Sequence, residues 1–310
     1  MRRSKFKRKS TGHIELTDRD VAILQALHKY RFLTSSHLMA LTETTSQQGM
    51  NRRLRELFDA KYIDRPKAQM FSLAYADKRP MVYALGNEGA ELLSNRFQLT
   101  LPDIYWTEKN RRVKEKFIEH TLGIADFMVK LEVACREAGN VRIITRDDIL
   151  AASPERTRRS KHPFRWQTRV RFNGERHEIA IVPDEVFGLH YLDKPEGRNR
   201  AYFFVEIDRG TMPITRNDIR QTSFARKLMS YSDTHERKLH TERFGIKNFR
   251  VLTLTTSRDR ITTMQQAWQS EVSHCAPAGM FLFGAKQSIQ SIEDWVTSDG
   301  KATNIVKPVA

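Results

Sequence analysis

Hydrophobic positions recur at helical spacing near the start of the chain. Val21, Leu24 and Leu27 follow one another every third residue, which is typical of one buried face of an α-helix. Thr17 precedes this pattern in the position of an N-cap, and Asp20 stands where a capping box places its acid. The pattern therefore predicts a first helix that begins at Thr17.

Two further helices are predicted from caps and spacing. Thr34 caps a second helix over 35–41, and Ser46 caps a third over 47–60. The third helix has an apolar stripe that comprises Met50, Leu54, Leu57 and Phe58. Away from this stripe lie side chains suited to paired hydrogen bonds with base edges, namely Gln48, Asn51, Arg52, Arg53 and Arg55. Its place after a helix and a short turn predicts a DNA-recognition helix.

A basic loop between two strand-like segments follows the third helix. The segments are 62–65 and 81–85, and the loop carries Lys67, Lys78 and Arg79. Another helix begins at Asn87, so that residues 16–96 predict a winged helix-turn-helix domain that binds double-stranded DNA. The basic residues of the wing suit backbone or minor-groove contacts. Two alternatives are a winged helix that binds protein and a helical domain with a solvated basic face.

The second part of the chain alternates strands and helices. Residues 97–112, which include Pro102, predict a linker, and 113–296 a domain with a mixed sheet flanked by helices. Asn173 and Gly174 predict a hairpin turn between two strands. The predicted elements are a helix over 107–138, strands over 141–145, 167–172, 178–182, 202–205, 249–255 and 280–283, and helices over 224–234 and 258–272. Residues 146–161 are predicted as an exposed connection and 297–310 as a loose tail.

Acidic residues end two apolar runs of strand length. Asp184 follows the run at 179–182, and Glu206 and Asp208 follow the run at 202–205. A period of two places Glu206 and Asp208 on the same face of their strand. Unpaired buried carboxylates are costly, whereas converging carboxylates suit a hard cation. We therefore expect a Mg²⁺ or Mn²⁺ site with Asp184 and Glu206 as ligands.

These acids resemble the motif of restriction-endonuclease-like nucleases, which reads PD, a spacer, then (D/E)xK. Pro183 and Asp184 match its first part and Glu206 its second, but Asp208 stands at the lysine position. The resemblance implies a PD-(D/E)xK-like fold with Asp184, Glu206 and Asp208 in the catalytic set and Lys227 as the replacement lysine. The alternative is an ion network in which Arg209, Arg226 or Lys227 pairs with these acids.

Composition narrows the class of partner. The chain has 310 residues, enough for two domains, and a net charge of +16 from 53 Lys and Arg against 37 Asp and Glu. Such an excess favours a polyanion, with nucleic acid first and a membrane surface as the rival. The sequence has no apolar run near the roughly 20 residues that span a bilayer.

Three smaller features complete the prediction. Residues 1–15 are predicted as a disordered basic tail that adds phosphate contacts. Cys135 and Cys275 are too few for a disulfide framework and are expected to be reduced packing residues of a cytoplasmic protein. His235 and His240 are expected at the surface, because their spacing suits no helical metal site.

Several segments resemble the replication-relaxation family of plasmids and other mobile elements. The first domain contributes RDVAILQALHKYRFLTSSHLMAL, NRRLRELFDAKYIDRP and VYALGNEGAELL, and the second EHTLGIADFMVKL, PDEVFGL, FFVEIDRGTMPI and RKLMSY. One departure is Met212, where the family often has an acid. The resemblance implies a DNA-binding accessory role in replication, mobilisation or regulation, with replication or relaxase proteins as partners.

Three functions are therefore open. The first is a DNA-binding accessory protein whose nuclease-like domain is weak or inactive, which the missing motif lysine favours. The second is a metal-dependent DNA endonuclease or nickase. The third is a winged-helix transcriptional regulator that acts as a homodimer.

Overall fold

The chain forms a mixed α+β structure with two compact units. The computed structural model describes residues 5–10, 14–70, 80–97, 106–286 and 295–307. Within these ranges the chain has eleven α-helices and a seven-stranded mixed sheet, so the predicted mixture of helices and strands is confirmed. The two units are 1–129 and 130–310. None of the described helices has the length and apolar character that crossing a bilayer requires.

The first unit combines helices with a small antiparallel sheet. Its helices are α1 (Asp18–Tyr30), α2 (Ser35–Leu41), α3 (Gln47–Asp59), α4 (Asn87–Phe97), α5 (Trp106–Arg112) and the first half of α6 (Glu115–Ala138). Its strands are β1 (Leu33–Thr34), β2 (Ile63–Asp64) and β3 (Val82–Leu85), in the order β1-β3-β2. Strand β1 was not predicted, because two residues give no periodic signal and their partner strand, β3, is distant in the chain.

Local signals position the first three helices. Thr17, Thr34 and Ser46 are N-caps whose side chains accept backbone hydrogen bonds, as the sequence predicts. Asp20 completes the capping box of α1. The predicted stripe of α3 is buried, and it comprises Met50, Leu54, Leu57 and Phe58. Burial of this stripe leaves the opposite face of α3 towards solvent.

The predicted linker and long helix are partly wrong. Residues 106–112 form α5, and the long helix is interrupted at 113–114 before α6 begins. Asn110 of α5 is buried and donates to the carbonyl of Leu85 at 3.0 Å. Ile118 of α6 packs with Phe32 and Val82. These contacts place the start of α6 in the first unit and the boundary at 129/130.

The amino-terminal tail is not disordered over residues 5–10, contrary to the prediction for 1–15. Arg8 contacts the carboxylate of Asp64 at 3.1 Å, and the backbone N–H of Lys9 donates to Asp59 at 3.0 Å. The carbonyls of Lys7 and Lys5 accept from Arg55 and Arg65, respectively. Acids and arginines of the first unit therefore hold this segment in place.

The second unit is built on the seven-stranded sheet. Its strands, in spatial order, are β12 (Ala302–Thr303), β11 (Trp295–Thr297), β10 (Phe281–Ala285), β9 (Arg250–Thr255), β8 (Arg200–Ile207), β7 (Glu185–Tyr191) and β4 (Val141–Ile144). The central strands β8, β9 and β10 are parallel, and the other pairs are antiparallel. A separate two-stranded sheet contains β5 (Trp166–Phe172) and β6 (Glu175–Ile181), joined at Asn173 and Gly174 as predicted.

The second unit contains five helices in addition to the second part of α6. They are α7 (Arg146–Ala152), α8 (Glu155–Arg158), α9 (Phe224–Glu236), α10 (Leu239–Phe244) and α11 (Arg258–Glu271). The prediction of a connection over 146–161 is wrong in its secondary structure, because Thr145 and Asp148 form a capping box that starts α7. Most residues of this segment are exposed, as predicted. The prediction of a loose tail is also wrong for the described residues after Thr297. β12 joins the sheet, and the carbonyl of Ile305 accepts from Tyr191 at 2.6 Å.

Two further predictions about individual side chains need correction. His240 is buried beneath Phe249, and its ring nitrogens face the carbonyls of Thr234 and Lys247 at 3.2 and 2.9 Å. It is therefore a packing residue rather than a surface residue. Both cysteines are free, but Cys135 is buried whereas Cys275 is exposed.

Candidate nucleic-acid interface and acidic site

Three polar side chains of α3 reach solvent. Gln48, Asn51 and Arg52 are exposed; Gln48 and Arg52 lie on the side of the helix opposite its buried stripe, whereas Asn51 lies beside the stripe. The side-chain oxygen of Asn51 accepts a hydrogen bond from Gln47 at 3.1 Å. These side chains present amide and guanidinium donors in the combination that suits base edges.

The other two arginines of the predicted face are held within the first unit. Arg53 donates to both carboxylate oxygens of Asp20, at 2.9 and 2.7 Å, and to Glu56 at 2.8 Å. The hydrogen bonds that Asp20 accepts from Arg53 are the main reason that the pKa of Arg53 is raised. Arg55 donates to Asp59 at 2.8 Å. A helical wheel of α3 cannot show the partner of Arg53, because Asp20 lies on another helix, whereas the partner of Arg55 lies one turn further along α3.

The predicted wing is described in part. Lys67 is exposed in a 3₁₀ turn over Lys67–Gln69, and Gln69 fixes that turn to β3. The side-chain amide of Gln69 donates to the carbonyl of Val82 at 2.9 Å and accepts from its N–H at 2.8 Å. Lys78 and Arg79 lie outside the described residues.

Asp184 lies near Glu206, but the strand that places it there is not the one predicted. Strand β6 ends at Ile181 and belongs to the two-stranded sheet, so Asp184 does not end a strand of the main sheet. It comes just before β7, which runs antiparallel to β8 and therefore starts beside the end of β8. The N–H of Asp184 donates to the carbonyl of Val205 at 2.9 Å, and its carboxylate accepts from the N–H of Ile207 at 2.7 Å.

Glu206 is buried between two donors of α9. Only 3 % of the residue is exposed, and burial raises the pKa of its carboxyl group. The hydroxyl of Tyr231 donates to Glu206 at 2.6 Å, and the ammonium of Lys227 forms an ion pair with its other oxygen. Lys227 and Tyr231 are four residues apart and so share one face of the helix.

Lys227 lies within electrostatic range of all three predicted acids. Burial alone would lower the pKa of Lys227, but Glu206 and Asp184, with a smaller contribution from Asp208, outweigh it and raise the pKa. The ammonium is therefore charged at neutral pH. The structure thus brings Asp184, Glu206, Asp208 and Lys227 together at the carboxyl end of the central strand β8.

Asp208 has its own set of donors. Its carboxylate accepts from Thr255 at 2.6 Å and forms a two-pronged pair with Arg260, whose Nη2 contacts it at 2.8 Å. Burial alone would raise the pKa of Asp208, but these hydrogen bonds lower it. The sequence did not indicate Arg260, which lies on α11, 52 residues along the chain. Of the partners considered from sequence, Arg226 instead donates to the carbonyls of Ile219 and Arg220.

The donor set fits a divalent cation poorly. Both oxygens of Glu206 accept from protein donors, and one oxygen of Asp184 accepts from the backbone. Among the described residues there is no group of three or more His, Cys, Asp or Glu side chains arranged to hold a metal ion. Glu185 adds an acid that sequence reasoning missed: burial raises the pKa of Glu185, and Arg146 lies 3.7 Å from it.

Comparison with known families gives one match. The model of a family described as Replication-relaxation matches residues 24–245, more than half of the chain. No curated protein and no solved structure matches the chain significantly.

Arg53 and Arg52 are expected to contribute differently to stability. Arg53→Ala leaves Asp20, which is 0 % exposed, without its cation, and is expected to lower the free energy of unfolding by about 3 kcal/mol. Arg52→Ala changes an exposed neighbour and is expected to alter it by less than about 0.5 kcal/mol. Urea unfolding followed by circular dichroism measures both, and equal values would contradict the assigned roles.

Lys227→Met is expected to make stability depend more strongly on pH than it does in the wild type. Burial raises the pKa of Glu206 in the folded state above its ordinary value, and loss of the ammonium raises it further. Folding then favours the protonated acid, so the stability of the variant falls as pH increases from about 5 to 8. The melting temperature at both pH values measures this change. Lys247→Met, at an exposed lysine of the same unit, is the control and is expected to follow the wild type.

Proposed function

Because the chain belongs to the replication-relaxation family, we propose that it acts on the DNA of a plasmid or other mobile element as an accessory protein. The family relation supports a role in the replication or mobilisation of such an element. DNA and the replication or relaxase proteins assembled on it are the partners that this role requires. The excess of positive charge, +16 over the whole chain, is consistent with a polyanionic partner.

The first unit is proposed to bind double-stranded DNA as a winged helix-turn-helix. The observation that carries this proposal is the exposed trio of Gln48, Asn51 and Arg52 on α3. A capped second helix precedes α3 across a short turn, and an antiparallel sheet follows it. This order supports insertion of α3 into the major groove.

A division of labour within α3 refines this proposal. Gln48, Asn51 and Arg52 read base edges, whereas Arg53 and Arg55 hold α3 against α1 and the amino-terminal segment. Lys67 contacts the sugar-phosphate backbone, which positions the protein without reading sequence. Lys78 and Arg79 of the predicted wing are proposed to do the same.

The second unit is proposed to be nuclease-like without strong cleavage activity. Lys227 and Tyr231 occupy both oxygens of Glu206, and Arg260 neutralises Asp208. A Mg²⁺ or Mn²⁺ ion held by Asp184 and Glu206 would have to compete with these donors. The acids then serve mainly to fix α9 and α11 to the central strands.

A DNA endonuclease or nickase is the second candidate function. The observation that favours it is the position of Lys227 against Glu206 and beside Asp184, which supplies a cation where the motif lysine is replaced by Asp208. In that function Asp184 and Glu206 would hold the ion, and the ion would polarise the phosphate and activate water. Lys227 would balance the charge of the acids.

Removal of the Arg52 side chain is expected to reduce sequence preference. Arg52→Ala is expected to cost about 1–3 kcal/mol in binding to the preferred duplex from the mobile element, and little in binding to random duplex. Fluorescence anisotropy at a fixed salt concentration measures both affinities. Arg112→Ala, at an exposed arginine that pairs with Glu108 on α5, is the matched control. A wild type without any preference for duplex from its own element would remove the proposal.

A nicking assay separates the two candidate functions. Supercoiled plasmid is incubated with Mg²⁺ or Mn²⁺ and with wild type or Asp184→Ala. The accessory function predicts no nicking by either protein, because the carboxylates are occupied by protein donors. Nicking by the wild type that Asp184→Ala abolishes would establish the endonuclease instead, and equal nicking by both would indicate a contaminant.

A further inference from the structure

Strands β5 and β6 form a ribbon that stands outside the main sheet, and one of its faces is anchored. Val170 and Ile179 pack with Ile219 in a small apolar cluster. The ring N–H of Trp166 donates to Thr234 of α9 at 2.8 Å, and the backbone N–H of Arg169 donates to Asp233 at 2.9 Å. These contacts fix which face of the ribbon is turned to solvent.

The solvent face of the ribbon is rich in arginine. Arg169, Arg171 and Arg176 are exposed, and Arg171 lies directly opposite Arg176 in the register. Like charges in directly opposed positions destabilise a pair of strands. Arg169 faces Glu178 at 3.7 Å, which neutralises only one of the three. Folding stability therefore does not account for the arginine pair, and an external anion would.

The ribbon belongs to a longer stretch of the chain that is basic overall. Residues 155–178 contain eight Arg and Lys against three Glu, and all eight basic residues are exposed. The basic residues are Arg156, Arg158, Arg159, Lys161, Arg165, Arg169, Arg171 and Arg176. The three glutamates leave a net charge of +5 on this segment. We refer to these eight residues as the basic ribbon surface.

We propose that the basic ribbon surface binds the phosphate backbone of double-stranded DNA, with Arg171 and Arg176 as its principal contacts. This inference rests on the proposed function, since it assumes that DNA is the partner. The surface lies in the second unit and is thus distinct from α3. Along β6, Arg176 lies about 17 Å from Ile181, which is three residues before Asp184. Bound backbone would then extend towards the acids.

The character of the exposed ribbon positions favours duplex DNA over other anions. Single-stranded nucleic acid is held by aromatic side chains on which bases stack, and a membrane surface by interleaved apolar side chains. The exposed positions of β5 and β6 instead hold Gln, Arg and Glu. These positions therefore offer charged and polar groups for phosphates, and they offer neither a ring on which bases could stack nor an apolar side chain that could enter a membrane.

The salt dependence of binding tests this inference with the full chain. The affinity for a 30-base-pair duplex is measured by fluorescence anisotropy at several salt concentrations. Arg171→Ala with Arg176→Ala is expected to reduce the slope of log affinity against log salt by roughly two, because each lost phosphate contact removes about 0.9. Arg171→Lys with Arg176→Lys keeps the charge and is expected to retain the wild-type slope.

A matched control comes from the end of β7 and the start of β8, at the opposite end of these strands from Asp184 and Glu206. Arg198 and Arg200 are exposed there, so Arg198→Ala with Arg200→Ala removes the same charge and is expected to keep the slope near the wild-type value. Equal slopes for the two double alanine variants would overturn the inference, as would a loss of binding to single strands alone. If the wild type binds duplex and the ribbon variant matches it, only this inference fails. If the wild type binds no duplex, the proposed function fails with it.

Discussion

A carboxylate stays charged inside a sheet only when fixed donors surround it, and this constraint organises the second unit. Glu206 and Asp208 leave the end of β8 two residues apart, and each takes its donors from a different helix. Lys227 and Tyr231 tie α9 to Glu206, whereas Arg260 ties α11 to Asp208. Loss of one partner from such a buried pair costs about 3–5 kcal/mol. The same contacts that define the acidic site therefore also dock the two helices on the parallel strands.

Buried carboxylates of the first unit are also paired with cationic side chains, and this pairing limits which arginines are available to a partner. Asp20, Asp59 and Asp64 are buried, and each carboxylate contacts an arginine: Arg53, Arg55 and Arg8, respectively. These three arginines are paired within the protein, so only other, exposed arginines can bind an external anion. Net charge alone thus overstates how much of a basic chain is available to a polyanion.

Local signals in the sequence predict most of the helices and strands. The others depend on pairing with residues far away in the chain, which local signals do not show. The caps at Thr17, Thr34 and Ser46 and the stripe of α3 are encoded within a few residues, so periodicity identifies them. Strand β1 was missed because its partner among the described residues is β3, about 50 residues away. The segments that end at 182 and 205 read as neighbouring strands, but only the second lies in the main sheet. Asp184 still reaches Glu206, through the antiparallel start of β7. The role of Arg260 could not be predicted, because no pattern in the sequence around it indicates that its partner is Asp208.

The docked segment 5–10 has a consequence for how the amino end can be altered. Its carbonyl groups accept one hydrogen bond each from Arg55 and Arg65. Arg8 neutralises Asp64, and its guanidinium lies 4.6 Å from the ring centre of Phe58. Truncation of this segment would therefore do more than subtract positive charge, because it would uncover part of the Phe58 ring and remove one acceptor from each of two guanidinium groups. A basic extension that looks dispensable by composition is thus a strap over the carboxyl end of the third helix.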